Sequence, residues 1–438
     1  MKYAIIGAGW AGCSAAVELA GQGHEVHLYE AARTLGGRAR EVNVHATALD
    51  NGQHILLGAY QATLALLHTI GVDTRSALLR LPLQMCYPVH SGGMQFIAPK
   101  LPAPLHVLVA LIRAQGLSRA DKMTLARFSS TARWMDWELN TDCSVAELLQ
   151  RFDQTERLIQ LLWQPLCVAA LNTPTERASA QVFLNVLKDS LGASRASSDM
   201  LIARTDLTRL LPQPAADYVV RHGGQIHLGC AVQAISANKN QWQLRLSTTQ
   251  TEPVYDGVVL ATPAEVSREL LTPLQLAQHI PVFEYEAIST CYLQYKPGTR
   301  LPRPLLALIE RPQQQVWGQF VFDRSQLNMT PAQDGLLAVV ISASGLALEQ
   351  GHAELAANCA RQLAEDLQRP ELATPIWTQV ISEKRATFAC TPGLQRPDNV
   401  LPMQGLVLAG DYTASRYPAT LEAAVQSGKI AAGLLGKA

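Results

Sequence analysis

The first thirty residues constrain this chain more than any other stretch. Residues 2–6 (KYAII) form a short apolar run rich in β-formers. Gly7, Gly9 and Gly12 follow in the spacing G-x-G-x-x-G, with Trp10 and Ala11 between them. Residues 11–22 read as a helix closed by Gly21 and Gly23, and residues 25–30 (EVHLYE) alternate as a second strand ending on Glu30. Strand, glycine turn, helix, strand and terminal acid are the parts of a dinucleotide-binding unit. Gly7 permits the tight turn, Gly9 lets a pyrophosphate approach the backbone, and Gly12 lets helix and strand pack closely. The helix N-terminus offers unpaired N–H groups to phosphate. Glu30 is placed to accept a ribose hydroxyl.

Composition decides what such a unit is attached to. The 438 residues allow two or three domains. Thirty-six basic residues balance thirty-six acidic ones, which argues against a nucleic-acid partner. Only 16% of residues are charged and 48% are hydrophobic, so a large apolar interior or surface is required. The eight cysteines are scattered without a C-x-x-C pair, as expected of buried thiols in a reducing compartment rather than of disulfides or a metal site. The nucleotide strand begins at once, leaving no room for a cleavable signal peptide. The most apolar run, residues 101–112, is interrupted by prolines and too short to span a bilayer.

Further along, Gly36-Gly37-Arg38 suits a second diphosphate contact, bending the backbone and supplying charge. In residues 48–55 a polar cluster (Asp50, Asn51, Gly52, Gln53, His54) reads equally as a loop beside a bound ring or as a plain turn. A helix is expected over 60–70 and a change of domain near 75. Residues 105–113 form an apolar helix close to Arg113, Arg119, Lys122 and Arg127, either internal or lying on a membrane surface. Residues 131–192 are mostly helical, with a capping box at Ser144 and Glu147. The run 161–172, nearly uncharged around Pro165, predicts a kinked helix whose Trp163, Leu166 and Leu171 wall an apolar pocket or fill a core.

Near residue 200 the pattern returns to the first domain. Strands are expected over 226–228, 231–235, 242–246 and 255–263, with Val232 near an adenine and Ala261 at a strand end. His222 and His227 read as turn and strand residues. Residues 264–394 resume the second domain, with strands over 288–294, 317–322 and 336–344 and a helix over 353–368. At the C-terminus, 405–411 is a buried strand stopping on Gly410-Asp411. Residues 418–420 then open a helix to 435, bringing Ala419, Thr420 and Leu421 to its start. Asp411 suits a sugar-alcohol hydroxyl, and the helix dipole suits an anionic flavin ring.

These pieces together resemble the FAD-dependent amine oxidase and phytoene desaturase superfamily. The usual last motif of that group has glycine where this chain has Ala419 and Ala423. Three longer stretches, 50–60 (DNGQHILLGAY), 163–174 (WQPLCVAALNTP) and 182–192 (VFLNVLKDSLG), resemble the bacterial hydroxysqualene dehydroxylase family of squalene and hopanoid biosynthesis. The resemblance implies an α/β fold of amine-oxidase type. A discontinuous Rossmann-like FAD-binding domain (1–75, 195–263, 395–438) would join a mixed α+β substrate domain (76–194, 264–394). It also implies FAD as cofactor, a long-chain isoprenoid (hydroxysqualene) as substrate and an external electron donor. The location would be cytoplasmic, with contact at the inner face of the membrane. Reductive removal of an allylic hydroxyl needs a proton donor, for which His54, then Asp50 through water, then Tyr417 are the candidates. Two other readings share these motifs: an oxidase or desaturase acting on an amine or polyene, and a non-enzymatic prenyl-lipid escort protein.

Overall fold

The computed structural model describes residues 1–436 except 46, 193, 249–252 and 328–330. Its first sheet has five parallel strands, in the spatial order Gln225–Leu228, Glu25–Glu30, Lys2–Ile6, Gly257–Leu260, Leu406–Leu408. The central strands Lys2–Ile6 and Gly257–Leu260 are buried on both faces, which is why they read as unbroken apolar runs rather than alternating ones. Helix Trp10–Gly21 covers the sheet, and the last helix, Leu421–Leu435, crosses it.

Three close approaches set this layer. Gly7 has φ of +104°, and a Cβ on it would lie 2.6 Å from the Ala261 carbonyl oxygen. A Cβ on Gly12 would lie 1.9 Å from the Gly7 carbonyl oxygen, so helix and strand meet at backbone distance. A Cβ on Gly428 would lie 2.1 Å from the Ala11 carbonyl oxygen, and beside it the Ser14 hydroxyl donates to the Val425 carbonyl at 2.8 Å. The first and last helices are thereby clamped together.

The second sheet is antiparallel, in the order Leu305–Ala307, Phe320–Asp323, Leu336–Ser342, Tyr285–Gln294, Trp377–Phe388. Its strands alternate as a two-faced sheet must. Val321, Leu337 and Val339 pack under helix His352–Asp366, against Leu355, Cys359 and Leu363. Phe320, Phe322 and Val340 face the other way. Opposite them lie helices Leu105–Arg113, Arg119–Trp134, Gln164–Leu171 and Ala180–Leu187.

Local details refine the sequence reading. Residues 159–163 form a π-helical turn that runs without a break into helix Gln164–Leu171, and Pro165, which has no N–H to donate, falls just past that turn. Ser144 accepts the Glu147 N–H at 3.1 Å, whereas the reciprocal box is at Ser118 and Asp121. The final helix starts at Leu421 rather than 418, because Thr420 is its N-cap, accepting the Ala423 N–H at 3.1 Å. Leu78–Leu81 pairs antiparallel with Met200–Ala203. All eight cysteines are buried and free. Among the described residues no helix is long and apolar enough to cross a membrane.

Candidate active site

One cavity of about 1020 Å³ runs between the two sheets. At one end it is lined by the glycine turn (Gly7, Gly9, Trp10, Ala11) together with Glu30, Gly36 and Gly37. Gly9 has no atom within 4 Å of where a Cβ would stand, so a methyl there would project into the cavity. Glu30 holds the turn in place, accepting the Ala8 N–H at 2.8 Å and the Ala32 N–H at 2.9 Å, with lone pairs left over. Val232 and Ala261 line the same end. Gly12 does not reach the cavity; it packs on Gly7 beneath it.

The middle of the cavity joins distant parts of the chain. Gly410, Asp411, Ala419, Thr420 and Leu421 line it from the C-terminus, and Arg38, Gly52, Gln53 and His54 from the N-terminal third. The Arg38 guanidinium donates to Asp411 at 2.6 Å and to the Ala386 carbonyl at 2.6 Å. Burial works against the Arg38 charge, and the Asp411 carboxylate together with Tyr285 and Glu383 more than offsets it, raising the arginine above its usual value. The arginine, expected on phosphate, is here engaged by the residue expected on a sugar alcohol.

The His54 ring approaches the Gly52 carbonyl at 2.7 Å through Nδ1. With that nitrogen carrying the proton, Nε2 is the acceptor in the neutral ring. Burial lowers its pKa and the Arg38 charge adds to the lowering, while the Gly52 carbonyl opposes both. Gln53 is gripped from beneath by Arg324, a residue only 1% exposed, at 2.8 Å.

The other two proton-donor candidates lie off the cavity lining. Asp50 does not line the cavity. It accepts the Leu207 N–H at 2.8 Å and faces Arg324 at 3.5 Å, so it braces the loop from behind. Burial pushes its carboxyl up to about 6, against the pull of Arg324 and the Leu207 N–H. Tyr417 also lies off the cavity lining; its hydroxyl donates to Asp189 beside Arg416.

The far arm of the cavity is apolar. Leu162, Trp163, Leu166, Ala169 and Ala170 line it on one side. Trp163 is fixed by its Nε1–H to Gln154 at 2.9 Å and by Phe128, 4.7 Å between ring centroids. Leu171 does not line the cavity. Five residues beyond Leu166, it lies about 140° around the helix and packs into the core. Asn172, one residue on, does line it; it accepts the Ala343 N–H at 2.7 Å and donates to Thr387 at 2.9 Å.

Several lining residues escape the sequence reading although their spacing carries a signal. Phe183, Val186, Leu187 and Ser190 line the arm at helical spacing, and Phe320 and Phe322 at strand spacing. Tyr60 has no such signal. It reaches the cavity because the buried Glu422 carboxylate accepts the Ala62 and Thr63 N–H groups, both at 2.9 Å, and so anchors the start of helix Gln61–Thr69.

The family model described as flavin containing amine oxidoreductase matches residues 10–435. A hydroxysqualene dehydroxylase of Rhodopseudomonas palustris is 29% identical, covering 98% of this chain and 97% of that protein. One from Zymomonas mobilis is 27% identical, covering 98% of each. Among solved structures, cyclohexylamine oxidase from Brevibacterium oxydans superposes with a TM-score of 0.71 at 17% identity, covering 100% of this chain and 98% of that one.

Proposed function

The chain belongs to the flavin-containing amine oxidoreductase family, and we propose that within it this protein removes the hydroxyl of hydroxysqualene reductively, giving squalene. It is an FAD-dependent oxidoreductase with an amine-oxidase-type fold. The observation that carries the substrate assignment is one continuous cavity, polar and glycine-rich at one end and walled by Trp163, Leu166, Phe183, Phe320 and Phe322 at the other. The likeness to the two dehydroxylases over 98% of the chain supports it.

The residues present fit the cofactor. The open space beside Gly9, the N-terminus of helix Trp10–Gly21 and the acid Glu30 suit a diphosphate and its ribose. Asp411 and the Thr420-capped helix suit the opposite half of the molecule. Residues 1–75, 195–263 and 395–438 are assigned to holding it, and 76–194 with 264–394 to the substrate. When bound and reduced, FAD supplies a hydride equivalent, which with one proton turns the allylic alcohol into hydrocarbon and water and leaves the cofactor oxidised. An external electron donor restores the reduced form, and the location is cytoplasmic.

The chain's own side chains do the rest. The apolar arm binds the hydrocarbon by burial, at about 25 cal/mol per Å², and excludes water from the bond that breaks. Aromatic faces along the arm stabilise positive charge developing on an allylic carbon. His54 is assigned as proton donor, being the one of the three sequence candidates on the cavity wall. Its cation holds a proton on Nε2 while Nδ1 stays on the Gly52 carbonyl. Because burial lowers its pKa, that cation is favoured at acid pH, and the rate falls as pH rises through the lowered value.

The test uses anaerobic FAD-loaded enzyme and hydroxysqualene, with products read by mass spectrometry. Reduced enzyme is expected to yield squalene in one turnover and oxidised enzyme none. A desaturated product from oxidised enzyme would overturn the proposal. His54→Ala is expected to slow flavin reoxidation by about 10²–10⁴; an unchanged rate and pH profile would remove His54 from the role.

A further inference from the structure

We infer that the outer face of helices Leu105–Arg113 and Arg119–Trp134 docks on an anionic lipid bilayer and that the cavity opens there. This rests on reading the apolar arm as the site of a long hydrocarbon.

The two helices wall the arm, through Leu108 and Leu111 on the first and Leu125, Ser130 and Arg133 on the second. Leu108, Ser130 and Arg133 are also exposed at the surface, so the space between the helices is the mouth. Around it stand Leu105 (47% exposed), Leu108 (47%) and Ile112 (64%), on successive turns of one helix face. Met123 (73%) and Trp134 (87%) project from the second helix. Isolated exposed apolar side chains need no explanation. Here five of the eighteen large ones exposed among the described residues fall between 105 and 134, on the helices that form the opening.

The charge around them selects the occupant. This segment carries Arg113, Arg119, Lys122, Arg127 and Arg133 against one acid, Asp121. Asp121 is buried, accepting the Ser118 N–H and the Thr155 hydroxyl. Arg127 is paired with Asp153, but Arg113, Arg119, Lys122 and Arg133 are in no ion pair among the described residues. Nearby, exposed Asp136 is matched by Lys188. Leucine, isoleucine and tryptophan interleaved with unpaired cations suit acyl chains beneath anionic headgroups. With no described helix able to span the bilayer, the contact is peripheral. A hydrocarbon dissolved in that bilayer then reaches the arm without crossing water.

The experiment sediments FAD-loaded protein with vesicles of phosphatidylcholine alone and of phosphatidylcholine mixed with phosphatidylglycerol. Wild type is expected to bind the anionic vesicles at least about tenfold better. The triple variant Leu105→Ser/Ile112→Ser/Trp134→Ser and the pair Arg113→Glu/Arg119→Glu are each expected to lower binding at least about tenfold, with FAD content and melting unchanged. None of these side chains lines the cavity. Turnover of vesicle-borne substrate is expected to fall with binding, while turnover in detergent is kept. Binding by both variants equal to wild type overturns the inference. So does wild type that ignores both vesicles, or that dimerises through this face instead. Binding is read without substrate, so a failure of the dehydroxylation reading leaves the vesicle result intact, and the two failures are told apart.

Discussion

Gly428→Ala is the sharpest test of how the cofactor site is held. The added methyl would start 2.1 Å from the Ala11 carbonyl oxygen and 2.9 Å from Ser14 Cβ. A tolerable carbon–oxygen contact is about 3.3 Å, so the first and last helices must part by about 1.2 Å. That stretches the 2.8 Å bond from Ser14 to the Val425 carbonyl to about 4 Å, beyond useful reach. Overpacking costs about 1–3 kcal/mol and the lost bond about 1 kcal/mol, against a helix-propensity gain of about 1 kcal/mol. The net is about 1–3 kcal/mol. For 438 residues the unfolding entropy is about 0.9 kcal/mol per kelvin, so melting drops by about 1–3 °C. Gly433, on the same helix, would meet nothing within 4 Å of a Cβ, and Gly433→Ala should instead gain about 1 kcal/mol. Because Gly9 and Thr420 sit at the N-termini of the two clamped helices, FAD retention should fall in the first variant and hold in the second. The assays are thermal melting and flavin-to-protein absorbance ratio. Gly428→Ala protein that melts as high as Gly433→Ala and keeps its full flavin would refute the clamp.

Three other outcomes follow from single side chains. Asp50, with its carboxyl pushed up to about 6, lies above its unfolded value of about 3.9. Its stabilising protonated form is therefore complete below about pH 4 and lost as pH rises through about 6. The melting temperature of Asp50→Asn minus that of wild type should climb across that window; a constant difference would contradict the assignment. Glu422→Ala strips the acceptor from the Ala62 and Thr63 N–H groups and the Thr63 hydroxyl, for a loss of about 2–5 kcal/mol by chemical unfolding. Leu166→Ala should raise KM for hydroxysqualene about tenfold with the flavin spectrum unchanged, as steady-state kinetics would show.

Sequence reading reaches what is local or periodic. The turn at Gly7, Gly9 and Gly12 works through its immediate neighbours, and the central parallel strands Lys2–Ile6 and Gly257–Leu260 announce themselves as unbroken apolar runs. Partners far apart in the chain stay out of its reach. Arg324 beneath Gln53, Arg38 on Asp411 and Tyr417 on Asp189 are each joined across more than two hundred residues. Asp50 looks like a candidate acid because its neighbours in sequence are cavity residues, yet the strand pairing of Thr47–Asp50 turns its carboxylate inward to Leu207. Leu171 is misplaced when an apolar run is treated as one wall, because helical phase gives each residue its own direction.

The parallel sheet takes its strands from the beginning, the middle and nearly the end of the chain. Lys2–Ile6 and Glu25–Glu30 pair within thirty residues, but the other edge of Lys2–Ile6 waits for Gly257–Leu260, and that strand waits for Leu406–Leu408. On the ribosome, then, the early half of the nucleotide cradle emerges with an unpaired apolar edge and stays so through most of translation. The cofactor cradle is complete only once residues 410–421 have joined Gly9 and Glu30 around the cavity.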